Sequence, residues 1–177
     1  PIILLFGILI KMTSRGPIFF QQERVGLHGR SFFQYKLRSM VINAEDLKLS
    51  LAHLNEQSGP VFKIKADPRL TRVGRFIRKF SIDELPQLFN VVMGDMNLIG
   101  PRPPVPEEVK QYTTKQMRRL SMKPGITGLW QVSGRNDIKQ FEDWVKLDLE
   151  YIDNWNLKLD FKIALKTVFV VFSGTGR

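Results

Sequence analysis

Ile18-Phe-Phe-Gln-Gln-Glu-Arg-Val-Gly-Leu-His-Gly-Arg-Ser-Phe-Phe-Gln-Tyr-Lys36 is the stretch that separates an α+β fold from an all-helical one. Its two arms, Ile18–Arg24 and Ser31–Lys36, are rich in Phe, Gln and Tyr, and Leu27-His-Gly-Arg30 lies between them with a glycine. The pattern predicts a β-hairpin with His28 in the turn. The flanking segments read as helix. Met40–Glu56 sets Val41, Ala44, Leu47, Leu51 and Leu54 at helical spacing and ends at Ser58-Gly-Pro60. Pro68–Phe80 carries Arg69, Arg72, Arg75 and Arg78, a spacing of three that gathers arginines on one side of a helix. Leu88, Phe89 and Val92 continue an apolar face that stops at Gly94-Asp95. Phe141, Trp144, Val145, Leu149 and Ile152 predict an amphipathic helix opened by Asn136-Asp137. No repeat, low-complexity segment or long linker divides the chain. The expectation is one helix-rich α+β domain over residues 1–177 with a small antiparallel ribbon.

Composition narrows the chemistry. The 177 residues are 43% hydrophobic and 25% charged, which argues against a disordered chain. There is no cysteine, so disulfides, thiolate metal sites and cysteine nucleophiles are excluded. Two histidines, His28 and His53, are too few and too far apart for a histidine metal cluster. A net charge of +10 predicts an anionic partner, be it nucleic acid, acidic lipid or a phosphorylated small molecule.

Both ends lean toward a membrane. Pro1-Ile-Ile-Leu-Leu-Phe-Gly-Ile-Leu-Ile10 is about half the roughly 20 apolar residues of a spanning helix. It fits a buried core helix, or the latter half of a membrane-embedded helix cut at its proline, with Lys11 and Arg15 following as at a cytoplasmic exit. Residues 157–172 repeat lysine at Lys158, Lys162 and Lys166, one face of a helix whose other side holds Leu159, Ile163 and Val170. Such a helix rests on an anionic membrane or is an ordinary surface helix with a solvated stripe.

Three stretches could carry chemistry. In Arg78-Lys-Phe-Ser-Ile-Asp-Glu-Leu-Pro-Gln87, Ser81 and Glu84 have capping-box spacing, but Pro86 would then fall inside the helix. Asp83 as the N-cap places Pro86 in the first turn, where its missing N–H costs nothing. Adjacent carboxylates at a helix start, with Arg78 upstream, are held ionised. They suit a nucleophile toward phosphorus or a Mg²⁺ ligand, but on local features alone the plain cap beside a solvated charge is the favoured reading. In Gly94-Asp-Met-Asn-Leu-Ile-Gly-Pro-Arg-Pro-Pro104, Arg102 is aimed stiffly by a proline on either side. A preorganised guanidinium suits phosphate. Met122–Asn136 is rich in glycine, which brings backbone near a ligand, and Arg135 beside the next helix start could meet a phosphate. Trp130 reads either as a base-stacking ring or as core. Most Phe and Trp residues fall at core spacing, against a nucleic-acid reader.

Gly16-Pro-Ile-Phe-Phe-Gln-Gln-Glu-Arg-Val-Gly26, Tyr35-Lys-Leu-Arg-Ser-Met40, the Arg78–Gln87 stretch, Gly94–Pro103 and Lys123–Arg135 together resemble the bacterial sugar transferase family, the monotopic polyprenyl-phosphate phosphoglycosyl transferases. The likeness covers the chain and is to the catalytic domain of larger members. It implies a helix-rich monotopic membrane domain in which residues 1–15 are the remainder of a re-entrant helix broken at Pro1. It implies transfer of sugar-1-phosphate from a UDP-sugar to undecaprenyl phosphate at the cytoplasmic face of the bacterial inner membrane, with UMP released. This step initiates exopolysaccharide, capsule or O-antigen units. By the same match Asp83 is the nucleophile and forms a phosphosugar intermediate, Glu84 assists, and the two meet Mg²⁺. Arg78, Arg102 and Arg135 match phosphate-holding positions. Nucleic acid is not an expected partner, and a homo-oligomer stays open, as does the sugar. Leu37 and Asn97 stand where the family often has Phe and Ser. The alternative is a basic membrane-surface or nucleic-acid-binding module without catalysis.

Overall fold

A computed structural model describes residues 1–134 and 138–174 of the protein. It is helix-rich α+β, as expected, with a small antiparallel sheet. The hairpin forms where the Phe/Gln/Tyr arms predict it. Strands β1 (Phe19–Val25) and β2 (Ser31–Leu37) pair antiparallel, with Gln22 opposite Gln34 and Val25 opposite Ser31. His28 sits in the turn with φ 55, next to Gly29 at φ 80. One face of the ribbon, carrying Gln22, Arg24, Gln34 and Lys36, looks into a cavity.

Helix α1 (Ile2–Thr13) lies against the hairpin and the later helix α3 (Arg72–Lys79). Ile10, Leu37 and Ile77 are fully buried there, flanked by Phe6 and Ile18, and the Phe6 ring stacks on Phe76 at 5.8 Å. Helix α3 can come this close because of Gly74. A Cβ at that position would lie 1.8 Å from the Ser39 carbonyl oxygen. Thr71 caps the helix by accepting the Gly74 N–H. Arg69 falls outside the helix and pairs with Asp67 at 2.7 Å instead of joining the arginine row.

The long helix expected over 40–56 does not form. Only one turn, α2 (Leu47–Ser50), and a 3₁₀ turn at Ala52–Leu54 are helical. The start of the segment is held extended by a distant partner. Met40 bridges Leu70, the Val41 N–H donates to the Arg69 carbonyl at 2.9 Å, and Arg69 donates to the Ala44 carbonyl.

Helix α4 (Gln87–Val92) turns its apolar face outward. Leu88, Phe89 and Val92 are exposed, Val92 at 86%, while Gln87 and Asn90 are buried. The inversion follows from hydrogen bonding. Asn90 donates to the Phe33 carbonyl at 2.7 Å and accepts the Tyr35 N–H at 3.1 Å, and Gln87 accepts from Gln34 at 3.0 Å. The polar side of the helix thus satisfies the backbone edge of β2.

Strands β3 (Asn97–Ile99) and β4 (Gly125–Thr127) form a second, parallel pair of three residues each, too short to be foreseen from sequence. Between them lie short helices α5 (Pro106–Val109) and α6 (Thr114–Met117). Beyond them α7 (Leu129–Val132) leads to α8 (Phe141–Asp153). The core at this end is Val61, Trp130, Phe141, Trp144, Val145 and Leu149, matching the predicted amphipathic helix. Asn136 and Asp137, expected to open it, lie outside the described residues. Helix α9 (Leu157–Phe172) buries Ile163, with Leu159 and Val170 partly covered, as predicted. It leaves Leu157, Phe161, Phe169 and Phe172 exposed, as α1 leaves Leu4, Leu5 and Ile8. The core spacing read for the phenylalanines fails for these. Among the described residues no helix is long and apolar enough to cross a membrane.

Candidate active site

Asp83 is not the N-cap that its spacing to Pro86 predicts. After α3, Ser81 adopts a left-handed conformation (φ 53) and makes no capping bond, and Ile82–Glu84 form a single 3₁₀ turn. Pro86 itself occupies the N-cap position of α4. A left-handed non-glycine residue is unusual and strained. Here it turns the chain so that Asp83, only 5% exposed, and Glu84 both line a cavity of about 400 Å³.

The cavity is walled by cations. Arg78 Nε lies 3.9 Å from Asp83 Oδ2, and Lys36 Nζ lies 3.6 Å from Glu84 Oε1. Burial pulls the Lys36 ammonium below its ordinary pKa, opposed by Glu84. Arg24 is pushed down to about 9 by burial and then by the charge of Arg102, with Glu108 and Glu84 working the other way. Cations this close, in a buried setting, favour an incoming anion.

Arg102 is held as stiffly as its proline neighbours imply, and by more than them. Each carbonyl from Pro101 to Pro104 accepts a hydrogen bond. The Gly125 N–H reaches Pro101, Arg119 Nη2 reaches Arg102, Arg24 Nη1 reaches Pro103, and the Val25 N–H reaches Pro104. The close approach at Pro101 needs Gly125, where a Cβ would meet the Gly100 nitrogen at 2.1 Å. The Arg102 guanidinium donates to buried Glu108 at 3.1 Å and lies 6.0 Å from the Trp144 ring centroid. Arg119 is itself locked against Asp148 at 2.7 Å, both about 1% exposed, and donates to the Tyr112 hydroxyl.

The structure therefore brings Asp83, Glu84, Arg78 and Arg102 to one cavity. Arg135 lies outside the described residues. Arg24 and Lys36 are additions that sequence reading did not single out. Their signal was the hairpin register: alternate residues of the two arms share a face, and this one is polar where a core-facing ribbon is apolar. Trp130 is 4% exposed and stacks on Trp144 at 4.3 Å, at the cavity wall. Among the described residues no group of three or more Asp, Glu, His or Cys side chains could hold a metal by itself. Asp83 and Glu84 form a two-carboxylate set.

The profile of the bacterial sugar transferases matches residues 1–174. The chain belongs to the bacterial sugar transferase family. "Galactosyl transferase CpsE" of Streptococcus agalactiae serotype III (strain NEM316) is 55% identical over 161 residues, 91% of this chain and 36% of its own length. "Undecaprenyl-phosphate galactose phosphotransferase" of Salmonella typhimurium is 50% identical over 165 residues, 91% of this chain and 34% of that protein. "UDP-galactose-lipid carrier transferase" of Erwinia amylovora is 46% identical over 179 residues, 96% of this chain and 36% of that protein. The chain spans about a third of the length of these sugar transferases.

Proposed function

We propose that this chain is the catalytic domain of a phosphoglycosyl transferase, moving sugar-1-phosphate from a UDP-sugar to undecaprenyl phosphate. The observation that carries the reading is the buried Asp83 carboxylate, on a strained turn, facing a cavity ringed by Arg24, Lys36, Arg78 and Arg102. An Asp83 oxygen attacks the phosphorus that bears the sugar. The bond from that phosphorus to the bridging oxygen breaks, and UMP leaves with the bridging oxygen. The four cations offset charge on the diphosphate as it builds on the leaving phosphate. A phosphate oxygen of undecaprenyl phosphate then attacks the same phosphorus, the bond to Asp83 breaks, and undecaprenyl-diphosphate-sugar departs.

Asp83 and Glu84 fit Mg²⁺, which is commonly held by one or two carboxylates with substrate phosphates completing its shell, and which when bound neutralises diphosphate charge. The lipid acceptor suits the surface. Large apolar residues are exposed along α1, α4 and α9, with exposed Lys158, Lys162 and Lys166 on α9 among them, the composition of a helix surface that meets an anionic bilayer. Gly174, just past α9, lies against Lys79 and Phe80, so this surface reaches the end of α3 that feeds the Asp83 turn. On this reading the domain works at the cytoplasmic face of the bacterial inner membrane and starts a surface polysaccharide.

The test is intact mass after incubation in detergent with Mg²⁺ and a panel of UDP-sugars, without lipid acceptor. UDP-galactose comes first, since the three relatives are each named for galactose or galactosyl transfer. A gain of one sugar-phosphate, absent in Asp83→Asn, is expected. A folded chain that gains nothing from any donor overturns the assignment. So does an adduct that persists in Asp83→Asn.

A further inference from the structure

The mechanism above uses the charged half of the cavity and leaves two buried polar atoms unexplained. Among the described residues the indole Nε1 of Trp130 has no acceptor, and the Oε1 of the next residue, Gln131, has no donor. Both residues line the cavity. An unpaired buried donor or acceptor is costly, and sites built for a ligand are where that cost is tolerated. Of the other neutral orphans, Gln57 Oε1 does not line the cavity, and Gln34 Oε1 belongs to its other end. Its amide donates to Gln87, and it sits two residues from Lys36 on β2.

Contacts order the cavity. Asp83 and Glu84 meet Arg78 and Lys36. Arg24 Nη1 donates to the Pro103 carbonyl, one residue from Arg102. Arg102 approaches Trp144, and Trp144 stacks on Trp130. The following inference rests on the transferase reading, in which the sugar-bearing phosphorus sits at Asp83. The second phosphate then falls to the Arg24 and Arg102 end, and it carries the nucleoside. Continuing in that direction, the base arrives at Trp130 and Gln131.

We propose that Trp130 and Gln131 recognise the imide edge of the uracil ring. That edge presents an N–H donor flanked by carbonyl acceptors. Gln131 Oε1 accepts the ring N3–H, and Trp130 Nε1–H donates to a neighbouring carbonyl. A buried donor and a buried acceptor on consecutive residues of the cavity wall offer both halves of that pairing, and such a site rejects an analogue that cannot complete it. A sugar hydroxyl could also satisfy either atom, but on this reading the sugar lies at the Asp83 end.

Calorimetric titration of the chain with UDP, N3-methyl-UDP and inorganic pyrophosphate tests this. N3-methyl-UDP should bind at least about tenfold more weakly than UDP. Gln131→Leu should lower UDP affinity by a similar factor, abolish the difference between the two nucleotides, and leave pyrophosphate unchanged. The methylated nucleotide probes the unaltered protein, so a folding defect in a variant cannot decide the outcome. Equal binding of UDP and N3-methyl-UDP overturns the inference. If sugar-phosphate adduct still forms in that case, the transferase reading stands without it. Failure of both UDP and pyrophosphate to bind, together with absence of adduct, removes both.

Discussion

Two arginine–aspartate pairs divide this molecule. Arg119 and Asp148 are sealed at 2.7 Å, each about 1% exposed, with the Tyr112 hydroxyl and the Arg102 carbonyl taking further donors of the same guanidinium. Arg78 and Asp83 stand 3.9 Å apart, with Arg78 29% exposed and Asp83 opening to a cavity. The first pair satisfies itself. The second sets its cation at longer range, at the wall of the cavity. A closed pair holds shape, and an open pair keeps chemistry available. Breaking each in turn shows whether that division is real.

The largest expected effect is on the open pair. Asp83→Asn should lower transfer by about a thousandfold or more, as removal of a nucleophile does. It should cost only about 1 kcal/mol of stability, because the partly exposed Arg78 stays hydrated. Asp148→Asn should do the reverse. It leaves Arg119 buried without its anion, which costs about 3–5 kcal/mol in denaturant unfolding. Similar stability losses in the two variants would erase the distinction.

The next test sharpens the role of the closed pair. Arg119→Met combined with Asp148→Leu replaces both charges by apolar groups, a change that is commonly neutral or stabilising. It also removes the donor to the Arg102 carbonyl. Stability should hold, while kcat/KM for the UDP-sugar falls about tenfold through loosened positioning of Arg102. In an Arg102→Ala background the same double change should add little, since the side chain being positioned is gone. Full additivity would mean that Arg119 does not act through Arg102.

Lys36 offers a smaller effect with a definite sign. Burial lowers its pKa, so its charge is lost at a pH below the ordinary lysine value of 10.5. The charged form is the one that meets a phosphate. The alkaline fall of kcat/KM, which reports the free protein, should therefore set in below pH 10.5, and Lys36→Arg should move it upward. An alkaline limb that ignores this substitution assigns the titration to another group.

What sequence could and could not disclose follows from how local each feature is. The hairpin and α8 were legible because their own residues carry the pattern: a glycine-centred turn between aromatic arms, and apolar residues at helical spacing. The segment 40–56 was misread because Arg69 and Leu70, far along the chain, hold its start extended. Asp83 was legible as one of a charged pair but misplaced as a helix N-cap, because the left-handed Ser81 that presents it leaves no local pattern. Arg24 and Lys36 needed the strand register before they could be placed beside the dyad. The short parallel pair β3–β4, which brings Gly125 to Pro101, has three residues per strand and no periodicity to detect.

Helix α4 shows the same point from the outside and carries the smallest prediction. Its buried side is polar because Gln87 and Asn90 hydrogen-bond the hairpin, so its apolar side has nowhere to go but outward. If that side meets lipid, Val92→Ser should reduce binding to vesicles containing anionic phospholipid by about threefold, in proportion to the apolar area removed from the contact. Unfolding stability in detergent-free buffer should be unchanged, because Val92 is 86% exposed and supports no core. Asn90→Leu should behave oppositely. It adds apolar area but strips the hydrogen bonds that orient the helix, so stability falls by about 1–3 kcal/mol. Vesicle binding that follows total hydrophobicity instead, rising in Asn90→Leu and unaffected in Val92→Ser, would show that the outward face of α4 is not what the membrane meets.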